Sequence, residues 1–288
     1  MKALLKISGI VMGATKISAC CLMLAIILYT QIAMGQLITM DNKCTKLVAQ
    51  GNAANNARNY QEGFQIFNQV LQECKARDAK NKGNGGLAMA LNGLGRYQEA
   101  LNAANLCLKF SKNRNVTGWY ARGMAKRGMG DEAGAKADLA KVVEMTNKNR
   151  NQNDRALVYA EIADLDMQSG RPADAFNNIS TAIQMNGNNP DFYIQRGDIH
   201  FYEGRYEDAF ADYDQAVKLG RSDMAMYELR TSMRLKQYEK KYNTNEVNEL
   251  ANKLSADEKQ KLCAELKEAL RLGLKNMNLD LLALKICK

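Results

Sequence analysis

Apolar side chains recur along this 288-residue chain with the period of an α-helix. Between Tyr206 and Leu219 they stand at Ala209, Tyr213, Ala216 and Val217, which are spacings of four, seven and eight. The preceding stretch, from Phe192 to Tyr202, has the same period and is followed by Gly204, a residue that suits the left-handed turn after a helix. This pattern predicts two helices joined by a tight turn.

The helical pattern repeats. The segment GRYEDAF at Gly204 has relatives beginning at residues 58, 95, 130 and 170, so the unit is about 34 residues with short insertions. We expect the insertions near 80–83 and 149–154, where polar, Asn-rich stretches suit loops. The glycines of 83–86 are a poor start for a helix, and we expect local looseness there.

These copies resemble the tetratricopeptide repeat (TPR) family. In the fifth unit the resemblance rests on Gly197, Gly204, Tyr206, Ala209 and Tyr213, and matching glycines, alanines and aromatics recur in the other four. It implies an all-α fold, a right-handed α-solenoid of about five helical hairpins. The expected units cover residues 44–223, at 44–77, 81–114, 116–149, 156–189 and 190–223.

Residues 224–288 depart from the repeat and are predicted to form a C-terminal helical cap, in which Ser255 and Glu258 form a capping box. Four cysteines stand at equal distances from two predicted turns: Cys44 and Cys74 about the turn near residue 59, and Cys263 and Cys287 about the turn near residue 275. We predict a disulfide in each pair; the alternative is that these four thiols and that of Cys107 are all reduced and buried. Cys107 is expected to be free.

Residues 1–35 read as a targeting segment. Lys2, Lys6 and Lys16 precede an apolar run at 17–29, and the small residues Ala33 and Gly35 stand two positions apart before Gln36. A cleaved signal peptide is predicted, which makes the protein exported: periplasmic, associated with the outer membrane, or secreted. The alternative is an uncleaved anchor, because 17–35 is just long enough to span a bilayer.

Charge and motifs argue against several functions. The formal charge is +9, and losing the three N-terminal lysines would leave +6 without any block of like charges, so no nucleic-acid stripe is expected. Cysteine spacings do not fit a zinc site, and no phosphate-binding glycine loop occurs, so neither a cofactor nor a small-molecule substrate is expected. The single histidine, His200, is predicted to pack in a helix rather than to catalyse.

The resemblance places a partner groove on the inner face of the first helix of each unit. Aromatic, methionine and charged side chains there suit an adaptable peptide surface. The predicted contacts are Tyr120, Met124, Arg127, Asp164, Met167, Ile194, Asp198 and Phe201, with Ala160 on the same face. The sequence thus favours a non-enzymatic, exported scaffold in envelope assembly or secretion. Alternatives are a membrane-tethered assembly factor and an enzyme subunit using His200 or the cap.

Overall fold

A computed structural model describes residues 39–148 and 152–287 of the chain, so the predicted targeting segment lies outside the described residues. These residues form fourteen α-helices and no strand, which confirms the all-α prediction. The chain divides into two compact units, the first ending at Asp131 and the second starting at Glu132.

The described part of the first unit contains five helices. They are α1 (Asn42–Asn56), α2 (Tyr60–Glu73), α3 (Arg77–Gly93), α4 (Tyr97–Ser111) and α5 (Val116–Gly128). Each helix contacts its neighbours in sequence, and α3 also contacts α1 and α5. The core is built largely from alanines around a few large side chains, of which Phe67 and Leu108 are buried.

Helix α3 corrects the sequence prediction. Residues 80–83, expected to be a loop, and the glycines after them lie inside a continuous helix. Gly83, Asn84, Gly85 and Gly86 are all buried. An added Cβ at Gly86 would lie 2.0 Å from the ring of Phe67, and one at Gly83 would lie 2.9 Å from Leu71. The glycines therefore let α3 approach α2 closely, and this tertiary packing overrides their low helix propensity.

The described part of the second unit contains the other nine helices. They are α6 (Glu132–Met145), α7 (Gln152–Gln168), α8 (Pro172–Met185), α9 (Pro190–Tyr202), α10 (Tyr206–Lys218), α11 (Met224–Tyr242), α12 (Val247–Lys253), α13 (Ala256–Arg271) and α14 (Met277–Ile286). Residues 149–151 of the second predicted insertion lie outside the described residues. Residues 152–154, also expected to be a loop, are helical and begin α7.

The hairpin of α9 and α10 follows the sequence prediction. Gly204 has a φ of +78° between the two helices, the left-handed region that glycine favours. A Cβ at Gly197 would lie 2.6 Å from the ring of Tyr213, so the missing side chain admits the fully buried tyrosine. In the C-terminal segment, Ser255 and Glu258 form the predicted capping box at the start of α13.

Each predicted cysteine pair is brought together. The Sγ atoms of Cys44 and Cys74 are 2.01 Å apart, and those of Cys263 and Cys287 are 2.26 Å apart. Cys107 is free and buried, and burial raises the pKa of its thiol to about 12.

Candidate functional site

The predicted contact residues lie on one side of three helices, α5, α7 and α9, which are first helices of predicted repeats. All of them are half-buried, as is Ala160. In the first unit, Tyr120, Met124 and Arg127 follow one another along α5 at spacings of four and three. In the second unit, three of these residues lie on each of two helices: Ala160, Asp164 and Met167 on α7, and Ile194, Asp198 and Phe201 on α9. The two units are described separately below.

In the second unit, Gln195 joins α9 to α7. Its side-chain amide donates to the backbone carbonyl of Ala160 at 2.8 Å and also to the carboxylate of Asp164. The bridge fixes the predicted residues of the two helices side by side. Sequence reasoning missed Gln195, because a residue that contacts a partner 31 positions away leaves no periodic signal.

The side chain of Asp198 is hydrogen-bonded to the next helix, α10. The hydroxyl of Tyr213 on α10 donates to Oδ1 of Asp198 at 2.7 Å. Burial raises the pKa of Asp198, the hydrogen bond from Tyr213 lowers it, and the nearby charge of Asp164 raises it. The net direction is upward. The face thus carries two carboxylates, and the charge of Asp164 contributes to the raised pKa of Asp198.

The apolar members of the face also serve the fold. Ile194 and Phe201 pack against the core between α10 and α11, and the ring of Phe201 meets that of Tyr206 edge-on with centroids 5.1 Å apart. Met167 packs against the core around α8. The side chains are therefore held in place by the scaffold and only partly available to a partner.

His200 has the surroundings of a packed side chain. It is 7% exposed, and its ring meets Phe176 edge-on with centroids 5.2 Å apart. Its Nε2 atom lies 3.6 Å from the carboxylate of Asp212, which forms two shorter bonds with Arg196 at 2.6 and 2.8 Å. Burial and the charge of Arg205 lower the pKa of His200, so the neutral ring is favoured at pH 7.

A polar cleft lies between α10, α11 and α13, at the start of the predicted C-terminal cap. The helical period of the sequence gives no signal for it. Its volume is about 770 Å³. Arg230 on its floor donates to Glu265 at 2.5 and 2.9 Å and to Asp214 at 2.6 Å. Arg234 lies over the ring of Phe210, 3.5 Å from its centroid. These contacts tie the cap to the preceding hairpin.

Comparison with known families agrees with the helical hairpins. Two models of the tetratricopeptide repeat match, one at residues 116–149 and one at 190–223. The chain contains tetratricopeptide repeats (TPR) at these two segments. No curated protein matches its sequence.

Solved structures share the fold of this TPR protein at low identity. Pseudomonas aeruginosa pilF superposes with a TM-score of 0.60 at 14% identity, covering 82% of this chain and 95% of that one. A tetratricopeptide repeat protein from Parabacteroides merdae gives 0.54 at 19%, covering 85% and 84%. A thermophilic TPR protein from Thermus thermophilus gives 0.55 at 17%, covering 67% and 99%. These likenesses support an α-solenoid fold.

Within residues 39–148 and 152–287, no group of three histidine, cysteine or acidic side chains could hold a metal ion. In the same residues, no helix has the length and apolar character needed to cross a bilayer. TPR repeats generally mediate protein–protein interaction, so protein partners are the class of ligand to consider for the faces of α5, α7 and α9.

Proposed function

We propose that this TPR protein is an exported scaffold that binds an extended or helical partner segment on its first-helix faces, in envelope assembly or secretion. The observation that carries the proposal is the Gln195 bridge. It aligns the half-buried side chains of α7 and α9 into one surface with apolar groups and two carboxylates. Surfaces of this kind suit peptide segments with mixed apolar and basic side chains.

Export is supported by the sequence before the described residues and by the cysteines. A basic start, an apolar run and small residues at a cleavage position are typical of a signal peptide. We propose that Cys44–Cys74 and Cys263–Cys287 are disulfides in the native protein, since such bonds persist in oxidising compartments. Cleavage of the predicted signal peptide is tested by the intact mass of the protein purified from its own cells. A chain that begins at Gln36 fits cleavage, whereas a retained N-terminus favours a tethered protein.

The binding surface is tested by affinity capture from the native cells, with partners identified by mass spectrometry. One variant carries Tyr120→Ala and Met124→Ala, and a second carries Ile194→Ala and Phe201→Ala. A third, Leu106→Ala, changes an exposed leucine on α4 outside the predicted face and serves as the control. Circular dichroism checks that each variant keeps its helices, because Ile194 and Phe201 also pack inside the fold.

We expect a partner that the native and control proteins hold and that at least one face variant loses. Retention of every partner by both face variants would contradict the proposed surface. Loss of an enzymatic activity in a folded His200→Ala variant would instead favour the catalytic alternative.

A further inference from the structure

Helix α14 has two apolar faces, of which only one is used by the fold. Leu282 and Ile286 are buried in the core of the C-terminal segment. On the opposite side, Met277, Leu281 and Leu284 are 83%, 42% and 77% exposed. Met277 and Leu284 are the most exposed large apolar side chains in the described part of the chain.

These three side chains form one stripe. Their spacings of four and three residues place them within about 60° of each other around the helix axis. A 4–3 spacing is also the spacing of the seam in a coiled coil, where Met277 and Leu284 would take d positions and Leu281 an a position. Contiguous exposed apolar side chains of this kind mark surfaces that contact something else.

Charged residues flank the stripe on both sides. In the same heptad, Asp280 takes a g position and Lys285 an e position, the two positions that form salt bridges between coiled-coil helices. Both side chains are exposed. The opposite charges stand five residues apart, which is the offset between a g residue and the e residue that it meets on a parallel, in-register partner.

We propose that the stripe is a self-association surface, on which α14 of one chain packs against α14 of a second copy in parallel and in register. The apolar side chains would form the seam, and Asp280 of each copy would pair with Lys285 of the other. In an antiparallel pair, g would face g and e would face e, so neither charge would meet its opposite. Asp280 and Lys285 together give the edges of the stripe no excess of positive charge, which disfavours an anionic lipid surface as the occupant.

The contact is small. Three apolar side chains per copy cover less than the roughly 800 Å² per partner of a standard stable interface. The dimer is therefore a weak, concentration-dependent one, and the association should be measured up to millimolar protein. This surface is independent of the partner-binding faces on α5, α7 and α9.

Sedimentation velocity of the full chain over a range of concentrations tests the proposal. Leu284→Glu should raise the dimer dissociation constant at least about tenfold, because it removes an apolar contact from both copies. Leu106→Glu is the matched control: this leucine is 43% exposed on α4, and its substitution should leave the constant unchanged. Both side chains are exposed, so the thermal unfolding of the variants should stay close to that of the native chain.

Charge reversal tests the register. Asp280→Lys and Lys285→Asp should each weaken the dimer by placing like charges together, and the double variant should restore it. Three results would overturn the proposal: a monomer at every concentration, a dimer insensitive to Leu284→Glu, or a double variant no tighter than the singles. A chain that stays monomeric but binds phosphatidylglycerol vesicles, and loses that binding in Leu284→Glu, would assign the stripe to lipid instead.

Discussion

At the scale of single residues, packing in the first unit depends on glycines, which leave room for a large neighbouring side chain. Phe67 is fully buried and lies against Gly51 and Gly86, where an added Cβ would come within 2.8 and 2.0 Å of its ring. A rigid aromatic ring in a dense core cannot move aside by this amount without displacing its neighbours. The position of α3 is therefore fixed by the contact between Phe67 and Gly86.

Gly86→Ala should lower the free energy of unfolding by about 1–3 kcal/mol, as overpacked cores do. The measurement is urea denaturation followed by circular dichroism. Gly187→Ala is the control, since its Cβ would meet its nearest neighbour at 3.4 Å, an ordinary contact. Equal stabilities of the two variants would contradict the packing role of Gly86.

Asp198 should weaken the fold when ionised. Burial raises its pKa above the ordinary value of 3.8, so the folded state holds the proton more tightly than the unfolded state does. Stability contributed by the protonated form is fully present at low pH and is lost as the pH rises through the raised pKa. Asp198→Asn keeps the shape and the bond from Tyr213, and it should raise the melting temperature at pH 7.

That gain should disappear as the pH falls towards 3.8, where the native carboxyl is itself protonated. The exposed Asp208→Asn on α10 provides the comparison and should give no gain. A melting temperature for Asp198→Asn below that of the native protein at pH 7 would show that the carboxylate is stabilising.

At the scale of helices, Glu258 holds the start of α13 to the end of α11. Its carboxylate accepts from Lys241 and from the hydroxyl of Tyr242 at 2.7 Å, and from the backbone N–H of Ser255 at 2.8 Å. Burial alone would raise its pKa, but these hydrogen bonds outweigh burial and lower it from 4.5 to about 2. The ionised form is therefore the one that stabilises the cap.

Glu258→Gln should lower the free energy of unfolding by about 1–2 kcal/mol at pH 7, because it keeps the size of the side chain and removes the charge. A lowered pKa gives stability that is present above 4.5 and is lost as the pH falls towards 2, so the two proteins should converge in acid. Thermal melts across this range make the comparison, with exposed Glu228→Gln as a control. A difference that persists at pH 2 would assign the effect to packing.

The two cysteine pairs, one in the first helical hairpin and one in the last, lead to a prediction about thiol labelling. If both pairs are oxidised, the denatured but unreduced protein should label with N-ethylmaleimide at Cys107 and not at Cys44, Cys74, Cys263 or Cys287. Cys20 and Cys21 lie in the predicted targeting segment and are left out of the comparison. Native protein should resist labelling at Cys107 too, because burial raises the pKa of that thiol to about 12. Peptide mapping by mass spectrometry gives the result. Label at Cys44, Cys74, Cys263 and Cys287 without a reductant would contradict the disulfides.

At the scale of the whole molecule, the periodic sequence predicted much of the fold because each repeat depends on local spacing. The helix expected from Tyr206 to Leu219 is observed as Tyr206–Lys218, and the capping box at Ser255 is present. The glycine-rich middle of α3 was predicted wrongly, since the helix there depends on packing against Phe67 from another element. The helix propensity of a segment depends only on its own residues and contains no information about such a contact.

The candidate face was less predictable. The helical period was enough to place its residues on one side of each helix. It did not predict which side chains of other helices contact them. Neither the contact of Gln195 with α7 nor that of Tyr213 with Asp198 follows from spacing. Their roles in binding remain predictions. The predicted bounds of the repeats and of the cap also remain predictions.

The Cys44–Cys74 pair has a consequence for a scaffold that is pulled by its partners. The two residues are separated by 30 positions, which would extend to about 100 Å if the first hairpin unravelled under tension. A covalent link across them removes that length from the extension. In an optical trap, a Cys44→Ser, Cys74→Ser variant, which keeps the Cys263–Cys287 pair, should lengthen by about 100 Å more than the oxidised native protein on full unfolding. The cross-linked hairpin would then resist extension between its two cysteines, and a pulling force would pass through the disulfide to the rest of the chain.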